Sequence, residues 1–218
     1  MFEWLKNLGQ EGHGLRPIIE NFNQMMVDGQ NMFDLVTTAL LGEVDSATIR
    51  EELFTTDQKI NKAEQVLRRY LVVHASVHGA AEFPTCLVLM SIAKDAERIG
   101  DYCKNMFDVA SLHPIPADTE NGKGVQHCRE RVSKLLGQMI KAYGSQDPEI
   151  AKEHLGECDA IENYCDARVE DLIKSAGGAD HVPAALAFRH IKRIVAHSKN
   201  ITTSIVMPVD KLDFFDER

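Results

Sequence analysis

Apolar residues recur along this chain at alternating spacings of three and four, the pattern of helices that press one stripe against their neighbours. Leu89, Ile92, Ala96, Ile99, Cys103, Met106 and Ala110 form one such stripe. An earlier stripe runs through Phe22, Met25, Met26, Gly29, Met32, Phe33, Val36 and Leu40, with Gly42 placed to end it. Ile60, Ala63, Leu67, Tyr70 and His74 make another. The second half repeats the scheme with Val132, Leu135, Met139 and Ala142, stopped by Gly144, and then Cys165, Val169 and Leu172. Its last stripe is Ala184, Ala187, Ile191, Ile194, Ser198, Ile201 and Ile205, stopped by Pro208. Asp45 or Ser46 predicts a short capped helix through about Phe54, ahead of a long helix that starts at Thr55-Thr56-Asp57. Asp147-Pro148 predicts the matching short helix, ahead of one that opens at Asp159. No segment reads as a strand.

Between Ser111 and Gly124, Pro114, Pro116, Gly122 and Gly124 stand among polar residues, so this stretch is the predicted linker. The expected fold is all-α: two tandem three-helix-bundle repeats, residues 17–110 and 125–207, packed side by side. An amphipathic extension (1–16, with Met1, Trp4, Leu5 and Leu8) precedes them and a tail (208–218) follows. The extension is expected to pack on the protein itself or on a partner. Polar positions support the repeat. Asp57, Asn61 and Glu64 match Asp159, Asn163 and Asp166 at a constant offset of 102. Arg98, Ile99, Lys104 and Asn105 match Arg193, Ile194, Lys199 and Asn200. Asp57 and Arg98 are 41 residues apart but Asp159 and Arg193 only 34, so the length difference falls between the second and third helices of the repeats.

Composition narrows the function. A net charge of −9 over 218 residues argues against sequence-independent nucleic-acid binding. No apolar run approaches the roughly 18 residues that a membrane helix needs, and no signal-peptide pattern is present, so the chain reads as cytoplasmic. Five cysteines without a CxxC pair read as small core residues. The Glu-x-x-His pair of di-iron bundles, HExxH, a GK[ST] phosphate loop and GxSxG are all missing, so a non-enzymatic role is expected.

Glu97 and Asp101 lie one helical turn apart, on the face predicted to point away from the seam. Two carboxylates so placed repel unless a cation or proton lies between them. They read either as a cation site or as a solvated acidic face. The string ERIGD followed by Asn105, with its altered copy KRIVAHSKN from Lys192 to Asn200, resembles the third-helix motif of the PhoU family of phosphate-signalling regulators.

That resemblance implies surface metal, iron foremost and otherwise Zn, Mn or Mg, held by Glu97 and Asp101 with Asp57, Asn61 and Glu64. The second-repeat counterparts are Asp159, Asn163 and Asp166, where Lys192 and Ala196 replace the two third-helix acids. It further implies docking on a phosphate transporter subunit or a sensor histidine kinase, with membrane contact only through the partner and a homodimer left open. The alternatives are a carboxylate-rich metalloenzyme or metal store, and a metal-free helical adaptor. Arg98 and Arg193 are expected to bridge to the second-helix acids, and His197 to be a structural histidine rather than a ligand.

Overall fold

The computed structural model describes residues 14–175 and 177–212; the predicted N-terminal extension up to His13 and the tail from Asp213 lie outside them. Six long helices follow one another: α1 (Arg16–Leu40), α2 (Ser46–His78), α3 (Phe83–Leu112), α4 (Glu120–Ser145), α5 (Pro148–Lys174) and α6 (His181–Val206). Among the described residues there is no strand, and no helix is long and apolar enough to cross a membrane.

Local chemistry sets the ends. The Asp45 carboxylate accepts from the Ala47 amide at 2.8 Å, the Thr119 hydroxyl from Gly122 at 2.9 Å and the Asp147 carboxylate from Glu149 at 2.9 Å. Each satisfies an orphan amide of a first turn. Pro17, Pro84 and Pro148 sit in first turns, where no amide is needed. Gly42, at φ +71°, turns the chain after α1.

α3 packs on α1, α2 and α6, while α6 packs on α4, α5 and α3. α1 also meets α4, through the edge-on ring pair Phe22–Tyr143 at 4.9 Å and the Gln30 amide donating to the Ser133 carbonyl at 2.9 Å. The two repeats therefore share one apolar core along α1, α3, α4 and α6, with α2 and α5 outermost. All five cysteines are buried and unbonded.

Three expectations are corrected. The short helices before Thr55 and before Asp159 do not exist as separate elements, because α2 and α5 each run unbroken from their cap. Nothing between Ser46 and His78 removes an amide or favours a left-handed turn, so one cap suffices. Gly144 does not stop α4, which ends instead at Gln146 in a left-handed conformation, φ 51°. The linker is also shorter than 111–124, since α3 reaches Leu112 and α4 begins at Glu120. Buried Ile115 anchors the connection, its amide donating to the Leu40 carbonyl at 2.8 Å. Gly122 is a packing glycine inside α4, where an added Cβ would lie 2.0 Å from the Pro116 carbonyl oxygen.

That contact is with backbone, which cannot rotate away. Gly122→Ala is expected to destabilise the fold by about 2 kcal/mol or more. Gly156→Ala, in mid-α5 with nothing within 4 Å of the new methyl, should instead gain about 0.5–1 kcal/mol in the same denaturant titration.

Candidate functional site

The first-repeat acids converge where α2 lies along α3. Asp57, Asn61 and Glu64 come from α2, one turn apart, and Glu97 and Asp101 face them from α3. Burial pushes the Glu64 carboxyl up; Lys94 and Arg68 oppose this, and the nearby Glu97 and Asp101 charges add to it. Glu64, Glu97 and Asp101 are thus close enough to feel one another's charge.

Glu97 does not occupy an outer face, contrary to the reading of its helical position. It is 8% exposed, and the Asp101 side chain is 27% exposed. Helical position alone allots one buried stripe to α3, whereas α1, α2 and α6 all pack around it and cover most of its circumference.

Basic side chains lie among these acids. Lys104 bridges Asp57 and Asp101, at 3.0 Å to each. Lys94 reaches Glu97 at 2.6 Å and Arg68 reaches Glu64 at 2.9 Å, while Asn61 donates to Asp57 at 3.1 Å. Burial lowers the Lys104 ammonium, and the hydrogen bonds it donates to Asp57 and Asp101, with their negative charges, more than offset this, leaving it above the ordinary lysine value.

Arg98 does not bridge to α2 as expected. It turns along its own helix to Asp101 at 3.6 Å and Glu97 at 4.0 Å. The α2 acid is taken by the lysine six residues later, which sits closer to the α2–α3 contact.

The second repeat uses the same device. Lys199, the counterpart of Lys104, meets Asp159 at 2.7 Å and Glu162 at 3.6 Å. Lys192 pairs with Asp166 across α5 and α6, and Asn163 points to solvent. In this repeat lysine ammonium groups pair with Asp159 and Asp166, and Ala196 presents no ligand atom. In the first repeat the donor chemistry does suit a hard cation, since Asp57, Asn61, Glu64, Glu97 and Asp101 present only oxygen ligands apart from the Asn61 nitrogen. Among the described residues, however, no group of three His, Cys, Asp or Glu side chains stands ready-made around a metal position.

Sequence reading missed a second polar cluster, at the α3–α6 contact. Buried Asp95 accepts from the Asn200 amide at 2.9 Å and lies 2.8 Å from the His197 ring nitrogen. Tyr102 stacks on His197 at 5.6 Å and tilts against His190 at 5.9 Å, and its hydroxyl accepts from Arg193 at 3.2 Å. His197 is thus structural, as expected, but Arg193 serves the repeat junction and not the α5 acids. The signal available in the sequence was the apolar spacing of α6, which puts His190 and His197 two turns apart on one side.

This α-helical pair of repeats, with its acidic faces and paired lysines, is the setting for the comparison with known proteins. A profile of the PhoU domain matches residues 22–110. The "Phosphate-specific transport system accessory protein PhoU homolog" of Zymomonas mobilis subsp. mobilis is 22% identical, over 92% of this chain and 90% of its own. The crystal structure of PhoU from Pseudomonas aeruginosa superposes with a TM-score of 0.80 at 17% identity, covering 92% of this chain and 99% of that one. The first repeat thus matches the PhoU domain, and the chain as a whole has the fold of the PhoU structures. The phosphate transport system regulatory protein PhoU from Streptococcus pneumoniae has the same fold, with a TM-score of 0.72 at 16% identity over 88% of this chain and 93% of its own. Within this PhoU-family fold the matched segment is the first repeat, which carries the complete acidic motif.

A buried His-Cys-Ser group in the second repeat has the residue types of a nucleophilic site. His154 lies 3.5 Å from the Cys158 sulfur and 3.4 Å from the Ser198 hydroxyl. All three are sealed in the core, and burial pushes the Cys158 thiol up and the His154 imidazole down to about 4. A thiol held protonated makes a poor nucleophile.

Two outcomes follow from these geometries. Lys104→Met strands Asp57 in a site that is nearly closed to water, and should destabilise by about 2 kcal/mol. Asp57→Asn in the same background should recover part of that loss in a double-mutant cycle. Between the ordinary histidine value of 6.5 and about 4, the unfolded chain takes up a proton at His154 that the folded chain refuses. The His154 contribution to stability therefore falls as pH is lowered through that window, by roughly 3 kcal/mol, and His154→Leu should remove that part of the acid slope in denaturation measured from pH 7 to pH 4.

Proposed function

We propose that this chain is a non-enzymatic regulator of phosphate transport, acting in the cytoplasm by docking on a phosphate transporter subunit or on a sensor histidine kinase. The observation that carries the reading is the PhoU domain over residues 22–110, within a fold shared along nearly the whole chain with PhoU structures. The curated relative is named as an accessory protein of a phosphate-specific transport system. The architecture suits the role: long helices bound together through one core give a rigid surface on which partner contacts keep their spacing.

The proposal includes one divalent or trivalent cation, iron foremost, in the first repeat, with Glu97, Asp101, Asp57, Glu64 and Asn61 as ligands. A cation there would compete with Lys104 and Lys94 for the same oxygens and would supply positive charge able to bridge to acidic or phosphorylated partner groups. The metal-free adaptor is the second reading, favoured by the lysines that already neutralise both acidic faces.

One experiment addresses both. Wild type and Glu97→Ala/Asp101→Ala are purified after growth with iron, manganese and zinc, assayed for bound metal, and used to pull down transporter subunits and sensor kinases. Capture of a transporter subunit or kinase supports the regulator, and bound metal lost in the double variant supports the cation. Capture without metal in either protein leaves the adaptor. Failure to capture either partner at both high and low phosphate counts against the regulator.

A further inference from the structure

A column of rings lines one side of the last turns of α2. Tyr70 stacks on His74 with ring centroids 5.8 Å apart, and His74 on His78 at 4.1 Å with the planes inclined by 28°. Spacing by four residues sets each ring one helical turn above the last. Gly14, just ahead of α1, closes on this column. Its carbonyl accepts from the Tyr70 hydroxyl, and an added Cβ there would lie 2.8 Å from His74 Cε1. His74 is thereby held on a face and on an edge and is only 7% exposed, whereas His78 reaches solvent.

The chain then reverses through the single 3-10 turn Gly79–Ala81, entered at Gly79 with φ +69°, a conformation that glycine adopts without steric cost. So tight a reversal returns Glu82 to the level of His74, its carboxylate 4.0 Å from His74 Nε2. That is too long for a hydrogen bond, and among the described residues Nε2 has no hydrogen-bond partner. Buried ring nitrogens are ordinarily paired. This one faces a carboxylate across a gap of the size a metal ion spans, since zinc lies about 2.0–2.1 Å from a histidine nitrogen and about 2.0–2.2 Å from a carboxylate oxygen.

We propose that His74, His78 and Glu82 form a binding site for a borderline divalent cation, zinc foremost, at the α2–α3 hairpin. Two histidines one turn apart on a helix are a zinc-ligating pair, and a carboxylate completes three protein ligands with a position left for water. Imidazole nitrogens favour zinc over the hard cations suited to the oxygens of Asp57, Glu64, Glu97 and Asp101. His74 presents Nε2 already in place. The His78 ring and the Glu82 side chain, which is 35% exposed, close the site by rotating about their own bonds. Burial and the charge of His78 push the His74 imidazole below its ordinary value, against the opposing effect of Glu82, which keeps it in the neutral form that ligates. Glu82 is the residue that caps α3, so a cation here ties the end of α2 to the start of α3.

The test is a zinc titration of the full-length, metal-stripped protein by calorimetry, with excess magnesium present to occupy oxygen-only sites. Wild type is compared with His78→Gln, Glu82→Gln and His113→Gln, each checked for unchanged helical circular dichroism. His78 and His113 are both exposed, so the fold tolerates their replacement. Wild type is expected to bind one equivalent of zinc, and His78→Gln to lose that binding. Glu82→Gln should weaken it by roughly tenfold or more. His113→Gln should bind as wild type does. Zinc should also raise the melting temperature of wild type and leave that of His78→Gln where it was. No zinc binding by wild type in magnesium overturns the proposal. So does binding that survives His78→Gln at wild-type affinity, or that is lost equally in His113→Gln, since either result puts the metal elsewhere.

Discussion

The contact on which this molecule turns is the one between α3 and α6. Each is the third helix of its repeat, and each is wrapped by two helices of its own repeat as well as by the other. A helix covered on three sides cannot keep a polar face, so the polar groups it carries must find partners inside the protein. Asp95 does so with His197 and Asn200, and Tyr102 with Arg193. The pairing is reciprocal: His197 occupies in α6 the place of Tyr102 in α3, and His190 the place of Asp95. The two helices thus meet about an approximate twofold axis, with unlike residues where the sequence repeat has like backbone. Such a polar seam fixes the register of two apolar surfaces that could otherwise slide.

The same crowding explains the acidic sites. Glu64 feels the charges of Glu97 and Asp101, and Glu64 and Glu97 are largely away from water, an arrangement that would be strongly unfavourable with three bare carboxylates. Lys104, Lys94 and Arg68 resolve it within the first repeat, and Lys199 and Lys192 do the same in the second. The lysine that precedes Asn105 and Asn200 in the two third helices therefore has a structural task that both repeats retain. The cation proposed for the first repeat would have to compete with the Lys104 ammonium for two carboxylates.

The repeats have diverged in length as well as in charge. The α2–α3 hairpin exposes Val72, Val73 and Phe83, and the α5–α6 hairpin exposes Ile173 and Val182, so each repeat ends in partly apolar surface.

The apolar period of each stripe determined the all-α class, the seams and the two-repeat order without help, because helix burial is a one-dimensional property: residues at i, i+3 and i+4 must share a face. The paired Asp-x3-Asn and RI-x4-KN strings likewise revealed the internal repeat and the resemblance to PhoU proteins. What lay beyond reach was everything that depends on how many neighbours a helix has. From spacing, Glu97 belonged outside; only the packing of α2 and α6 on either side of α3 put it in. Arg98 was the expected partner of the α2 acids, and Asp57 instead pairs with Lys104, six residues further along α3. Gly122 looked like linker and proved to be a close backbone contact, since a glycine chosen for flexibility and one chosen for lack of a Cβ are the same letter. Asp95 gave no sign at all, because its partner is 102 residues away and the two meet only when the repeats do.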